Sequence, residues 1–217
     1  MKVIVSNLGS TSFKYKVFSM PDEQVLAQGG MDRIGGEGSM HKFQIGEGEA
    51  VEQAVALPDH AAAIDEALAR LAEGGVLALV EELDAVGFKA VHARSISGVV
   101  ELDADVIGRM EDFYPLAPAH NPAYVAAIQQ FERVAPAARR IGCFETAFHG
   151  TMPHRRKFYA VPYEWYEKYG VQRYGFHGAS HRYAAEQVAE LEGRADLKHV
   201  NMHLGGSSSL CGVKAGV

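Results

Sequence analysis

The sequence contains one short Gly/Ser phrase twice, near its two ends. Residues Asn7–Ser12 (NLGSTS) match His203–Ser208 (HLGGSS) in register, and each phrase lies between two strand-like runs. A repeat of this kind predicts a duplicated unit made of a strand, a tight turn and a second strand. Because Gly allows close backbone approach, the N–H groups of such turns can bind phosphate oxygens. Ordinary hairpin turn chemistry is the alternative explanation.

The segments between the two phrases follow a β-then-α order. Short strand candidates fill residues 2–55, and an Ala-rich helix is predicted over 59–71. The remaining predictions are a strand over 86–92, a helix over 104–113, a helix over 121–134, a strand over 140–144, a helix over 180–191 and a strand from 198. Asn121 is predicted as an N-cap, with Pro122 as the first helical residue.

This order favours two duplicated α/β domains, with the second Gly/Ser turn opening the second domain. The chain continues only to Val217, which is too little to close a second sheet. We therefore expect the sequence to be a fragment, or to be completed by another chain.

Charge and hydropathy exclude two classes of partner. The 217 residues carry a net charge of −6, whereas binding a nucleic-acid backbone needs a basic face. No run of about 18 apolar residues exists to cross a bilayer, and the N-terminus resembles no signal region, so we predict a cytoplasmic protein.

The basic run at 155–157 is predicted to be a solvated loop. Cys143 and Cys211 are predicted to be buried, reduced thiols.

Four residues are candidates for chemistry. Glu145 follows a strand end, where α/β sheets bind ligands, so it suits metal binding or orientation of a nucleophile; a simple ion pair is the alternative. His177 lies between glycines at a helix start and can donate to a phosphoryl oxygen, or merely cap the turn. Lys89 in an apolar strand implies a partner or an anionic ligand, unless it extends to solvent. Lys14, after the first turn, reaches either a phosphate or solvent.

Five phrases together resemble the acetate kinase family, in its order and at its spacing. They are residues 7–14, LAPAHNP at 116–122, FETAFH at 144–149 with the Met-Pro that follows, YGFHGASH at 174–181 and HLGGSSS at 203–209. The resemblance implies an α/β, actin-like ATPase (ribonuclease H-like) fold with a mixed sheet flanked by helices. It also implies that residues 1–150 form the first domain and that 151–217 begin a second, nucleotide-binding domain.

The resemblance implies a role for each matching residue. Asn7 would help to place Mg²⁺, and Glu145 and His177 would be catalytic, with His177 steadying the transferred phosphoryl group. The residues expected to bind nucleotide are Lys14, His203, Leu204, Gly205, Gly206 and Ser207. Those expected to bind substrate are Lys89, Val91, Ala119 and Phe176. The implied cofactors are ATP and Mg²⁺, the implied partners are a small carboxylate and a nucleotide, and the full-length protein is expected to be a homodimer.

The sequence departs from the family's pattern at its site. Glu145 stands where the family has Asp, and Lys89 stands where it has Arg, which changes the expected contact to a carboxylate because Lys cannot form a bidentate fork. Gly206 stands where the family has Asn, which removes one amide near the phosphates. Arg94 is a basic residue that the family lacks. Because Ala119 replaces a larger Leu, we hypothesise that the pocket accepts propionate or a larger acid.

Three functions are compatible with this sequence. The first is ATP-dependent phosphorylation of a short-chain carboxylate, acetate or propionate, to an acyl phosphate. The second is a non-catalytic nucleotide-binding, metabolite-binding or dimerisation module of the same fold, which the substitutions favour. The third is another actin-like sugar kinase, which the phrases around His120, Glu145 and His177 disfavour. An assay for ATP-dependent acyl hydroxamate distinguishes the first from the second.

Overall fold

The computed structural model describes residues 1–94, 96–115, 118 and 120–217. These residues form two compact units, a first unit of 1–90 and 100–142 and a second unit of 91–99 and 143–217. In chain order the strands and α-helices are β1 Lys2–Leu8, β2 Ser12–Ser19, β3 Gln24–Asp32, β4 Met40–Ile45, β5 Val51–Ala54, α1 His60–Glu73, β6 Leu83–Ala90, β7 Val99–Glu101, α2 Ala104–Asp112, α3 Asn121–Val134, β8 Arg139–Phe144, α4 His154–Lys157, α5 Tyr163–Tyr169, α6 Gly178–Glu192, β9 Lys198–His203 and β10 Ser209–Lys214. No helix in the described part of the chain is long and apolar enough to cross a membrane.

An eight-stranded sheet has the order β5-β4-β3-β2-β1-β6-β8-β7. Strands β1 to β5 pair antiparallel in sequence order, whereas β1 and β6 are parallel. A parallel pair needs a crossover connection, and α1 lies in the segment that supplies it. The predicted α/β architecture, a mixed sheet flanked by helices, is confirmed.

The strands of the first hairpin bury one face and expose the other. Ile4, Leu8 and Phe13 are buried, whereas Asn7 and Lys14 point away from the core, as the two-residue period of a strand requires. The polar candidates of the first turn therefore share the exposed face of the sheet.

Helix α1 packs against the buried face together with α3. Asp59 caps α1 by accepting a hydrogen bond from the backbone N–H of Ala62 at 2.8 Å, as an N-cap carboxylate does. The helix buries Ile64 and Leu71, and the ring of Phe131 on α3 meets Phe88 on β6 edge-on at 5.6 Å. This layer fixes β6, which carries Lys89.

The second unit contains the second Gly/Ser hairpin and helix α6. Strands β9 and β10 pair antiparallel, so both hairpins that the repeat predicts are confirmed. Helix α6 begins after His177, whose φ of 56° is left-handed, and ends at Gly193 with φ of 64°. The non-Gly left-handed residue at the helix start is unusual, and such conformations often mark functional sites.

Three local predictions are wrong. His120, and not Asn121, precedes the first residue of α3, because the Asn121 side chain is buried and donates to the Met110 carbonyl at 2.8 Å. Cys143 is exposed, since the alternation of β8 turns it away from the side that buries Gly142 and Phe144. The basic run at 155–157 belongs to the one-turn helix α4.

Candidate functional site

A polar cavity surrounds the first Gly/Ser turn in the first unit. Its volume is about 340 Å³. It is lined by Asn7, Leu8, Gly9, Ser10, Ser12, Lys14, Lys89, His120 and Tyr124. We call it the turn cavity. Three residues predicted from separate segments, Asn7, Lys14 and Lys89, thus lie around one cavity, whose cations give it a positive field.

Strand register brings two of these side chains together. Asn7 on β1 lies directly opposite Lys14 on β2, and both project from the exposed face of the sheet. Lys89 reaches the same cavity from β6, which is parallel to β1. Lys14, although exposed, therefore lines this cavity.

A backbone hydrogen bond at Gly9 closes the first turn. The N–H of Gly9 donates to the Ser12 carbonyl at 2.8 Å, and a Cβ at position 9 would lie 2.5 Å from the Ser12 hydroxyl oxygen. A turn that binds phosphate needs backbone N–H groups that can come close to the phosphate oxygens, and a Gly without a side chain allows this approach. With an amide oxygen on Asn7 and the ammonium of Lys14, these donors fit a phosphate with an oxygen-liganded Mg²⁺.

In the second unit, Glu145 is joined to the start of α6 by its backbone. Its carbonyl oxygen accepts from the N–H of Gly178 at 3.0 Å, and a Cβ at position 178 would lie only 2.1 Å from that oxygen. Gly178 is thus required by the close approach of two segments. This contact holds Glu145 beside the helix that His177 precedes.

A serine hydroxyl connects two histidines at the start of α6. Ser209 Oγ on β10 lies 2.9 Å from His177 Nδ1 and 2.8 Å from His181 Nε2. A hydroxyl can donate one hydrogen bond and accept two, so Ser209 can donate to one ring while it accepts an N–H from the other. The half-buried ring of His177 is therefore held in place from the side of Nδ1.

The same histidines approach the second Gly/Ser turn. The rings of His177 and His203 are stacked with centroids 4.0 Å apart, and His203 Nδ1 lies 3.0 Å from the Ser180 hydroxyl. Nothing lies within 4 Å of a Cβ at Gly206, and Leu204 is 71% exposed, so this turn is open. The structure thus brings His177 next to the turn predicted to bind nucleotide.

His181 is electrostatically distinct from an exposed histidine. Burial, and then the neighbouring His149, His177 and His203, lower the pKa of His181 below its ordinary value of 6.5. His181 is therefore neutral at pH 7, and its Nε2 either donates to Ser209 or accepts from it.

Two of the predicted acyl-pocket residues lie near one another, and one cannot be placed. Phe176 meets the ring of His92 at 6.4 Å, and Val91 immediately precedes that histidine. Val91 is 8% exposed, whereas Phe176 is 41% exposed. Ala119 lies outside the described residues.

The sequence reasoning assigned no role to several residues that the structure brings into these sites. His120 and Ser12 line the turn cavity, and Ser209 bridges the histidines. His120 lies within a phrase that already carried the family resemblance, so it could have been found. Ser209 could not, because only the pairing of β9 and β10 shows which of three consecutive serines faces His177.

The fold and its two Gly/Ser hairpins define a chain of the actin-like ATPase class. A family model described as "Acetokinase family" matches residues 2–217, and the chain belongs to this family. The acetate kinase of Bacillus subtilis strain 168 is 41% identical over 218 residues, covering 99% of this chain and 55% of that protein.

Solved structures agree with this assignment. An acetate kinase from Porphyromonas gingivalis matches with a TM-score of 0.84 and 40% identity, and a propionate kinase from Francisella tularensis subsp. tularensis SCHU S4 matches with a TM-score of 0.89 and 29% identity. Each match covers 99% of this chain and 55% of the other. The chain therefore spans about half the length of the relatives it matches.

Proposed function

We propose that the natural full-length protein transfers phosphate from ATP to a short-chain carboxylate and releases ADP and an acyl phosphate. The observation that carries this proposal is the pair of Gly/Ser turns, one lined by Asn7, Lys14 and Lys89 and the other stacked against His177. Relatives named acetate kinase and propionate kinase support the same reaction class.

Phosphoryl transfer requires positioning and charge stabilisation more than covalent chemistry from the protein. In our proposal, Lys14 and the second turn, His203 to Ser207, hold the nucleotide phosphates, and Asn7 contributes an oxygen to Mg²⁺. The metal neutralises charge on the phosphate oxygens when it is bound. Lys89 binds the substrate carboxylate as a point charge, and Val91, Ala119 and Phe176 form the apolar wall against its alkyl chain.

His177 has the central role in this proposal. If His181 donates from Nε2 to Ser209, then Ser209 donates to Nδ1 of His177 and the His177 proton resides on Nε2. An Nε2–H group can stabilise negative charge on a transferring phosphoryl group. Glu145, anchored to the same helix start, orients the carboxylate or contributes to the metal site.

The predicted domain division, cytoplasmic location and homodimer remain parts of this proposal. Residues 1–150 would form the first domain and 151–217 the opening of the second, and the complete protein would pair through its second domain. A non-catalytic module is the second candidate, because Lys89, Glu145 and Gly206 all depart from the family's pattern.

The test is an ATP-dependent hydroxamate assay on the full-length protein with acetate, propionate and butyrate. We expect turnover, with propionate used at least as well as acetate. Lys89→Ala should raise the KM for the carboxylate about tenfold or more, because a charge-assisted contact is lost, whereas Lys89→Arg should keep or lower it. An unchanged KM in Lys89→Ala would remove Lys89 from the carboxylate site, and a clear preference for acetate would contradict the wider pocket.

A further inference from the structure

The second unit contains another cavity, with a volume of about 170 Å³. Its charged lining residues are Arg94, Lys157 and Arg173, accompanied by His149 and His154. We call it the basic cavity. None of these residues has a part in the carboxylate kinase site proposed above, so the inference below goes beyond that function.

The charge of this lining is unusual for the chain. Among the described residues no Asp or Glu lines the basic cavity, although the chain has a net charge of −6. Within the described residues, the ion pairs include none made by Arg94, Lys157 or Arg173, and Glu164 on the neighbouring α5 pairs with Lys168 instead. Three cations around one concave space give it a positive local potential, which favours a bound anion.

The guanidinium of Arg173 is held in position before any ligand binds. The Arg173 guanidinium donates to the Arg156 carbonyl at 2.8 Å and lies over the ring of Tyr159 at 5.5 Å. The backbone N–H of Arg173 also donates to the backbone carbonyl of Lys157 at 2.7 Å, which connects this segment to helix α4. Fixing side chains in advance reduces the entropy cost of binding.

Arg94 reaches the cavity from a strained backbone. Its φ is 54°, a left-handed conformation that costs free energy in a residue with a Cβ. Its guanidinium lies 3.4 Å from the Lys168 carbonyl, on α5. The cavity also has neutral polar lining, because the Thr146 and Ser97 hydroxyls lie 2.9 Å apart at its wall.

We propose that the basic cavity binds a small oxyanion carrying two or more negative charges, either inorganic phosphate or a short tricarboxylate. Guanidinium groups match the paired oxygens of both ligands, and Lys157 adds a point charge. The small volume excludes a nucleotide-sized ligand, since pockets for larger molecules exceed about 300 Å³. The site is thus suited to sensing a metabolite anion.

The test is calorimetric titration of this chain, without nucleotide, with phosphate, tricarballylate, acetate and chloride in separate arms. We expect one site per chain for phosphate or for tricarballylate, and the arm that binds identifies the source of the anion. Lys157→Gln and Arg94→Gln should each weaken binding about tenfold, as expected for a lost charge-assisted contact. Arg155→Gln is the matched control, because Arg155 lies on the same helix but does not line the cavity.

The outcomes separate clearly. The proposal is supported if phosphate or tricarballylate binds, if the affinity falls in both Lys157→Gln and Arg94→Gln, and if the affinity of Arg155→Gln stays within about twofold of the wild type. If neither multivalent anion binds, if Lys157→Gln binds like the wild type, or if Arg155→Gln loses as much affinity, the proposal is overturned. Circular dichroism of each variant checks its fold, and Lys157→Gln alone decides the result should Arg94→Gln not fold. Kinase activity is not measured, so the two proposals fail independently.

Discussion

The hydroxyl of Ser209 decides how the ring of His177 is presented. It lies within hydrogen-bond distance of both His177 and His181, and the lowered pKa of His181 keeps that partner neutral. Without the hydroxyl, His177 loses the contact at Nδ1 that selects its tautomer. We infer that Ser209 is a positioning residue, which acts through His177.

We expect Ser209→Ala in the full-length protein to lower kcat about tenfold to a hundredfold while the KM for ATP changes less than threefold. Ser209→Thr keeps the hydroxyl and should restore most of the activity. Equal loss in the Ala and Thr variants would contradict the positioning role.

Gly178 is the residue whose size is most tightly restricted in the second unit. A methyl group there would lie 2.1 Å from the Glu145 carbonyl oxygen, so the two segments would have to separate. We expect Gly178→Ala to reduce the free energy of unfolding by about 1–3 kcal/mol in urea titrations. Gly212→Ala, where a Cβ meets nothing within 4 Å, is the matched control and should be nearly neutral. Equal effects would show that the close approach does not limit stability.

At the scale of elements, the two hairpins are similar but not identical in register. Asn7 lies opposite Lys14 in the first, whereas in the second His203, which matches Asn7 in the repeat, lies opposite Ser209. The repeat matches Lys14 with Leu210, so Ser209 lies one residue before the matching position. A shift of one residue exchanges the faces of a strand, so the repeat predicted both hairpins but not the side chains that face His203.

Local patterns predicted most elements because their signals are local. The Ala-rich stretch over 59–71 predicted α1, and the strand-like runs on either side of the first Gly/Ser turn predicted β1 and β2. The signals failed where tertiary contacts decide. Asn121 has the usual chemistry of an N-cap, but its burial against Met110 uses that amide elsewhere. No local pattern could place Lys157 at a cavity, since the cavity forms from distant segments.

A buried polar network links β2, β4 and α1. Tyr15 donates to His41 Nε2 at 3.0 Å, and Glu66 lies 3.3 Å from His41 Nδ1 and is also contacted by Gln53 and Arg70. Burial lowers the pKa of His41, although the hydrogen bond to Glu66 opposes this shift. Burial also raises the pKa of Tyr15. Neutral Tyr15 and neutral His41 are therefore the folded forms.

This network predicts how stability depends on pH. Below the ordinary histidine pKa of 6.5 the unfolded chain binds a proton that folded His41 resists, so stability is full above that pH and falls as the pH decreases. We expect urea unfolding to show a lower free energy at pH 5.5 than at pH 7.5. The loss should be smaller in His41→Gln, with a remainder from His92 and His181, whose pKa values burial also lowers. An unchanged loss in His41→Gln would show that other groups cause it.

At the scale of the whole molecule, the chain spans about half the length of the relatives it matches. The turn cavity lies in the first unit, and His177 with the second turn lies in the second. Lys89, Glu145 and Gly206 depart from the family's pattern. Because binding and turnover depend on different contacts, these departures can change one without the other, and both have to be measured.

The most direct test of the proposed kinase is ³¹P NMR of the full-length protein with MgATP and acetate or propionate, following calorimetric titration with MgATP. The proposal predicts that ATP binds and that an acyl phosphate signal grows with ADP. His177→Ala should lower the rate at least a hundredfold while ATP binding changes about threefold or less. ATP binding with no acyl phosphate from either acid would contradict the proposal and identify a non-catalytic nucleotide-binding module.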